Sequence, residues 1–142
     1  MALAVAITTL PAKASERVGA INDLQRLTVS LRGGYERQPH CVLFHFTGQL
    51  DAYSDKQFSE FVAAHIHRGS LPLVIDLSRI DFLDSSGLGA LVQLAKQCND
   101  AALKFVVVGN ARVVQTVKLV RLEDFLHLKP DLESALGQLD AA

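Results

Sequence analysis

The 142-residue sequence predicts a single α/β domain. Its sheet is mixed and has four to five strands, an antiparallel N-terminal hairpin followed by parallel β-α-β units, with about four helices. Three observations carry this prediction. Strand-like segments alternate with segments whose apolar residues recur at helical spacing. The first two strand-like segments are joined only by "GGYERQPH", too short for a crossover and rich in turn residues. The runs "LPLVIDL" and "LKFVVVG" are short, β-branched and almost wholly apolar, as strands covered on both faces are.

In chain order, residues 1–24 lack a clean period, contain Pro11 and Gly19, and read as an extension before a domain over residues 25–140. Arg26–Arg32 alternates as a strand does, Gly33–His40 is turn chemistry, and Cys41–Gly48 is the second strand. Ser54–His67 takes helical spacing through Phe58, Phe61, Val62 and Ile66, with Asp51 or Ser54 as cap and Gly69 as stop. Leu71–Leu77 is the third strand. A helix follows, with Leu88, Leu91, Val92, Ala95 and Cys98 on one stripe. Leu103–Gly109 is the next strand and Ala111–Val120 the next helix. A short strand near Leu126–Leu128 and a final helical stripe of Leu132, Ala135, Leu136 and Leu139 complete the chain.

Composition excludes several classes. Basic and acidic residues number 14 and 15, leaving a net charge of −1, so nothing points to nucleic acid or an anionic membrane as partner. No apolar run reaches the ~20 residues that span a bilayer. The start "MALAVAITTLPAKA" lacks the charged region of a secretory signal, and a cytoplasmic location is expected. Cys41 and Cys98 have no metal-ligand spacing and read as small apolar residues.

In open α/β sheets, functional groups gather where parallel strands end. Three loops meet there: "GQLDAYS" with Asp51 and Ser54, "SRIDFLDSS" with Asp81, Asp84, Ser85 and Ser86, and "GNARV" with Asn110 and Arg112. This topology brings Ser85 near Asp51 and Asn110. The serine pair admits four readings. A nucleophile elbow needs G-x-S-x-G, and "DSSGLG" lacks the first glycine. A phosphate cradle needs G-x-G-x-x-G or G-K-[ST], and neither is present. A helix cap at Asp84 or Ser85 accounts for the composition without further function. A regulatory serine is compatible with that cap, because a helix N-terminus tolerates added negative charge.

The stretch "VIDLSRIDFLDSSGLGALVQLAKQC" resembles the signature of STAS domains, specifically the bacterial anti-sigma factor antagonists. "FTGQLDAYS" is similar to that family's G-x-L-D loop, and "VVVGNARVVQTVKL" to the strand and loop before its third helix. The resemblance covers residues 25–140 and implies a STAS-like mixed sheet. It also implies a switch rather than an enzyme, with no catalytic residue, cofactor or metal. The unmodified form binds an anti-sigma factor that is also a serine kinase of the GHKL type, which frees a sigma factor. The kinase phosphorylates the first serine of D-S-S-G and so breaks the complex, and a metal-dependent serine phosphatase resets it. On this chain the phosphosite is Ser85. Asp84, Ser86, Gly87, Leu88 and Gly89 form the recognition turn, with Asp51, Ser54 and Asn110 beside it. The resemblance implies no direct nucleic-acid or membrane contact and admits a weak homodimer. Its alternatives are a STAS adaptor subunit of another signalling or lipid-transport complex and, from the residues alone, a small serine hydrolase needing a histidine beside Ser85.

Overall fold

The computed structural model describes residues 24–141, so the extension predicted for residues 1–24 lies outside the described residues except for Leu24. One sheet holds six strands in chain order: β1 (Gln25–Arg26), β2 (Leu31–Arg37), β3 (Val42–Leu50), β4 (Leu73–Leu83), β5 (Phe105–Gly109) and β6 (Leu128–Lys129). β1 pairs antiparallel with β2 and β2 with β3, and β3 to β6 run parallel. The predicted mixed sheet is present with six strands rather than four to five. The surplus is the two-residue β1.

The helices are α1 (Asp55–Ala63), α2 (Ser85–Asp100), α3 (Ala111–Leu119) and α4 (Leu132–Ala141). Each parallel crossover steps to the next strand in the same direction, and right-handed crossovers then leave their helices on one face. Accordingly Phe58 and Val62 of α1, Leu91 and Leu94 of α2, and Val113 and Val117 of α3 join one core with Phe44, Phe46, Ile75 and Val107. α4 returns to the opposite face, where Leu132, Ala135, Leu136 and Leu139 cover Cys41, Leu43, Val74, Val106 and Val108. The central strands are buried on both faces, as their apolar runs predict. Cys41 and Cys98 lie in different cores on opposite faces of the sheet. Among the described residues, no helix is long and apolar enough to cross a membrane.

The hairpin and the end of α1 differ from the sequence reading. The alternating segment before Leu31 is a reverse turn, not the hairpin strand. Thr28 Oγ1 accepts the N–H groups of Ser30 and Leu31 at 3.2 and 3.1 Å, and Leu27 N–H donates to the Leu31 carbonyl at 2.9 Å. The glycines read as turn residues lie inside β2. Gly33 pairs with Phe46, and a Cβ there would stand 2.7 Å from the ring, so this glycine seats an aromatic side chain. Helix α1 stops at Ala63, where His65 N–H and Ile66 N–H turn back to the carbonyls of Val62 and Ala63. Gly69, with φ +89°, belongs to a later turn.

Candidate functional site

The third strand was expected to end at Leu77, but it continues to Leu83 and delivers the chain directly to Asp84. Against β3, its register shifts between His45/Thr47 and Gly48/Gln49, so β4 carries an extra residue at each bulge. Inward residues therefore recur every third position, at Leu77, Ile80 and Leu83. The intervening Ser78, Arg79, Asp81 and Phe82 all face outward. Asp81, assigned to a loop from the sequence, is in this strand.

At the end of β4, Asp84 caps α2: its Oδ1 accepts Gly87 N–H at 3.0 Å. Asp84 N–H donates to the Leu50 carbonyl at 3.3 Å, which pins the turn to the end of β3. Gly87 makes this approach feasible, since a Cβ on it would lie 2.4 Å from the Leu50 carbonyl oxygen. Of the two caps the sequence allowed, Asp84 is the one used. Ser85 is the first helical residue, is exposed, and its hydroxyl has no hydrogen-bond partner among the described residues. Ser86 and Asp84 are half-buried, Gly87 and Leu88 are buried, and Gly89 is exposed with nothing within 4 Å of a Cβ placed on it.

The loop after β3 supports this turn. Ser54 is 0% exposed; its hydroxyl donates to the Gln49 carbonyl at 2.8 Å and accepts Asp51 N–H at 3.0 Å. Asp51 Oδ1 accepts Tyr53 N–H at 2.9 Å. Ser54 is thus buried in this chain, and its hydroxyl holds the loop together. Asp51 remains half-buried at the surface. Ser85, Ser86, Gly89 and Gln93 of α2 line an open groove with Asp55, Lys56 and Ser59 of α1.

Asn110 shares the edge but not the turn. β5 ends at Gly109 opposite Leu77, six residues before Leu83. Asn110 Nδ2 donates to the carbonyls of Ser78 and Ile80 at 3.1 and 2.9 Å, and its Oδ1 accepts Val113 N–H at 2.9 Å. The turn meets the end of β3 through the Asp84 N–H bond to Leu50, the residue before Asp51, whereas Asn110 stands one step back along β4. Sequence reasoning missed Tyr53 and Phe82, large exposed apolar side chains on the loop after β3 and on the last residues of β4. Their signal was available, as aromatic residues beside Asp51 and Ser85, but their exposure was not.

No histidine is among the groove residues around Ser85, so the hydrolase reading finds no base there. His45 is on the α4 face of the sheet, between Asp76 (Nδ1 to Oδ2, 3.1 Å) and Glu36 (Nε2 to Oε2, 3.3 Å). Burial pulls its pKa down, but the hydrogen bonds and charges of Asp76 and Glu36 outweigh this and hold it above the ordinary value. Burial likewise raises Asp76, but the bonds from His45 and Ser78 bring it below the usual carboxylate range. Both ring nitrogens can donate only in the imidazolium form, the form this arrangement favours. Burial pushes the Cys98 thiol up to about 12, leaving it unreactive.

The comparisons with known proteins converge on this architecture. The family model described as STAS domain matches residues 35–135. The anti-sigma-B factor antagonist of Listeria monocytogenes is 25% identical over 95 residues, covering 66% of this chain and 83% of that protein. An anti-sigma factor antagonist from Mycobacterium paratuberculosis superposes with a TM-score of 0.72 at 24% identity, over 78% of this chain and 95% of that one. The anti-sigma factor antagonist SpoIIAA, solved in its unphosphorylated form, gives 0.64 at 18% identity over 78% and 97%. SpoIIAA from Bacillus has also been solved phosphorylated, with a TM-score of 0.59 at 17% identity over 75% and 98%. At these identities the solved structures establish a shared fold.

Proposed function

This chain belongs to the STAS domain family, and from that premise we propose that it is an anti-sigma factor antagonist switched by phosphorylation of Ser85. The observation that carries the proposal is the setting of Ser85: an exposed, unpartnered hydroxyl on the first residue of a helix that Asp84 already caps. The names of its relatives, anti-sigma-B factor antagonist and anti-sigma factor antagonist, support the general role. In this reading residues 25–140 are the STAS domain, residues 1–24 an extension, and the protein works in the cytoplasm.

The unmodified turn binds an anti-sigma factor that is also a GHKL-type serine kinase. That kinase transfers the γ-phosphoryl group of ATP to Ser85 Oγ; the hydroxyl proton departs, and ADP is released. A metal-dependent phosphatase adds water across the phosphoserine bond and returns serine and inorganic phosphate. Phosphorylation adds about −1.5 to −2 charges. Within this chain the cost is small, because the free amides of α2 favour an anion by roughly 0.3–1 kcal/mol. Asp84 keeps its cap bond without help from Ser85, so the fold tolerates the modification. Across a partner interface the same charge must be desolvated, which costs several kcal/mol when unpaired. That asymmetry makes Ser85 a switch for association rather than for folding. Asp84, Ser86, Gly89 and Asp51 are the partner contacts; Gly87, Leu88, Ser54 and Asn110 shape the surface from within.

The test starts from purified GHKL-type kinases of the source cell, each incubated with the chain and ATP. Intact mass should show one added phosphate with one of them, lost in Ser85→Ala and retained in Ser86→Ala. That kinase should bind wild type and Ser85→Ala alike and bind Ser85→Asp at least tenfold more weakly. Equal binding by all three would reject the switch and favour a STAS adaptor in another assembly.

A further inference from the structure

We propose that Tyr53 and Phe82 are the two apolar anchors by which the Ser85 kinase grips this chain, an inference that rests on the reading of Ser85 above. Tyr53 is 85% exposed in the loop after β3, and Phe82 is 45% exposed near the end of β4, the strand that leads into the phosphoacceptor turn. Nothing in the fold requires an aromatic ring at either place. Phe82 occupies one of the outward positions that the bulges create in β4, and the equivalent positions hold Ser78, Arg79 and Asp81.

Both rings are presented on fixed backbone. Phe82 is held in register opposite Gln49. Tyr53 sits in a turn closed by the Ser54 and Asp55 N–H groups on the Asp51 carbonyl, and its own N–H is tied to Asp51 Oδ1. Rigid aromatic side chains bind with little further ordering cost and are the residues on which interface energy concentrates.

Their placement commits them to the enzyme that acts on Ser85. Phe82 is three residues from Ser85, at most about 11 Å along the chain. Tyr53 is two residues before Asp55, which lines the same groove as Ser85. A stable protein interface buries roughly 800 Å² per partner, a disc of roughly 16 Å radius. A kinase that takes Ser85 into its active site therefore covers both rings. The other exposed apolar cluster, Leu119, Val120 and Phe125, begins where α3 ends after running back from this edge, and so serves as the internal control.

The experiment titrates the kinase identified above, with a non-hydrolysable ATP analogue, against wild type, Tyr53→Ala, Phe82→Ala and Leu119→Ala. The expected result is at least tenfold weaker binding for each aromatic substitution, less than twofold change for Leu119→Ala, and Tm values within a few degrees of wild type. Tyr53→Phe should restore most of the affinity. Binding within twofold of wild type for both alanine variants would overturn the anchor assignment while leaving the Ser85 reading intact. If wild type were neither bound nor phosphorylated by any such kinase, that reading would fail and the assignment with it. A wild-type dimer in sedimentation that both substitutions abolish would reassign the rings to a self-contact and also overturn the proposal.

Discussion

At the carboxyl ends of β4 and β5, Asp84 and Asn110 perform the same local task. Each side chain accepts a backbone N–H three residues ahead, at 3.0 and 2.9 Å, and starts a helix on the same face of the sheet. Their surroundings then diverge. Asn110 spends its remaining donor on the Ser78 and Ile80 carbonyls, and becomes a bolt between β4 and β5. Asp84 is followed by exposed Ser85 and Gly89, with Tyr53 and Phe82 uncovered nearby. A cap marks the start of a helix and nothing more. What separates a structural turn from a functional one is whether the polar and apolar groups around it are already satisfied within the chain.

The strongest way to break this contrast is to remove the close approach that builds the open turn. Gly87→Ala places a methyl 2.4 Å from the Leu50 carbonyl oxygen, which is backbone and gives way only if α2 moves. We expect a loss of about 3 kcal/mol, an overpacking cost at the upper end of the usual range. Thermal denaturation should show Tm falling by roughly 10 °C. A variant as stable as wild type would mean that α2 does not depend on this contact.

Next in size is the difference between the two caps. Asn110→Ala loses a cap worth about 1 kcal/mol and leaves two carbonyls without their donor, so about 2 kcal/mol in all is expected. Asp84→Ala loses only the cap, about 1 kcal/mol. Kinase affinity should show the reverse order, with Asp84→Ala the more damaging. Urea denaturation and binding titration on both variants check the pair, and equal ranking in both measurements would erase the distinction.

A smaller effect belongs to the sheet beneath both turns. His45 ties β2, β3 and β4 together, with a folded-state pKa above its ordinary 6.5. Its contribution is therefore fully present below about pH 6.5 and is lost as pH rises through the folded value. Asp76, with its pKa depressed from 3.8, contributes above that value and loses its contribution as pH falls. Stability should thus decline on the alkaline side with a slope of at most about one proton. His45→Gln should flatten that slope while leaving the ranking of Asp84 and Asn110 unchanged.

The order of elements was legible from the sequence because apolar runs and helical stripes are long enough to average over local exceptions. What was illegible follows from particular residues. Leu77, Ile80 and Leu83 recur at three, not two, because two bulges each insert a residue, and so β4 seemed to stop at Leu77. Gly33 seats Phe46, and a strand glycine looks like a turn glycine in one dimension. The left-handed residues just past α2 and α3 are Ala102 and Arg121, with φ +60° and +59°, so no glycine marked those ends. At the site, the DSSGLG motif located the turn, but the choice of Asp84 as cap and the burial of Ser54 depend on contacts between strands distant in sequence. The exposure of Tyr53 and Phe82 is likewise a property of the assembled surface.

The finest test of the contrast uses the two glycines of the open turn against each other. Gly87 is fixed by its own fold, whereas a Cβ at Gly89 meets nothing within 4 Å. A glycine inside a helix costs about 1 kcal/mol relative to alanine. Gly89 therefore carries a penalty that packing within this chain does not explain. Gly89→Ala should raise stability by about 0.5–1 kcal/mol, a gain of roughly 3 °C in Tm. If the missing side chain leaves room for the backbone of a partner, the same substitution weakens kinase binding even though the isolated domain is firmer. Stability and affinity would then move in opposite directions from one methyl group. A gain in stability with unchanged affinity would place Gly89 outside the interface and shift the partner's approach toward Ser85 and Phe82.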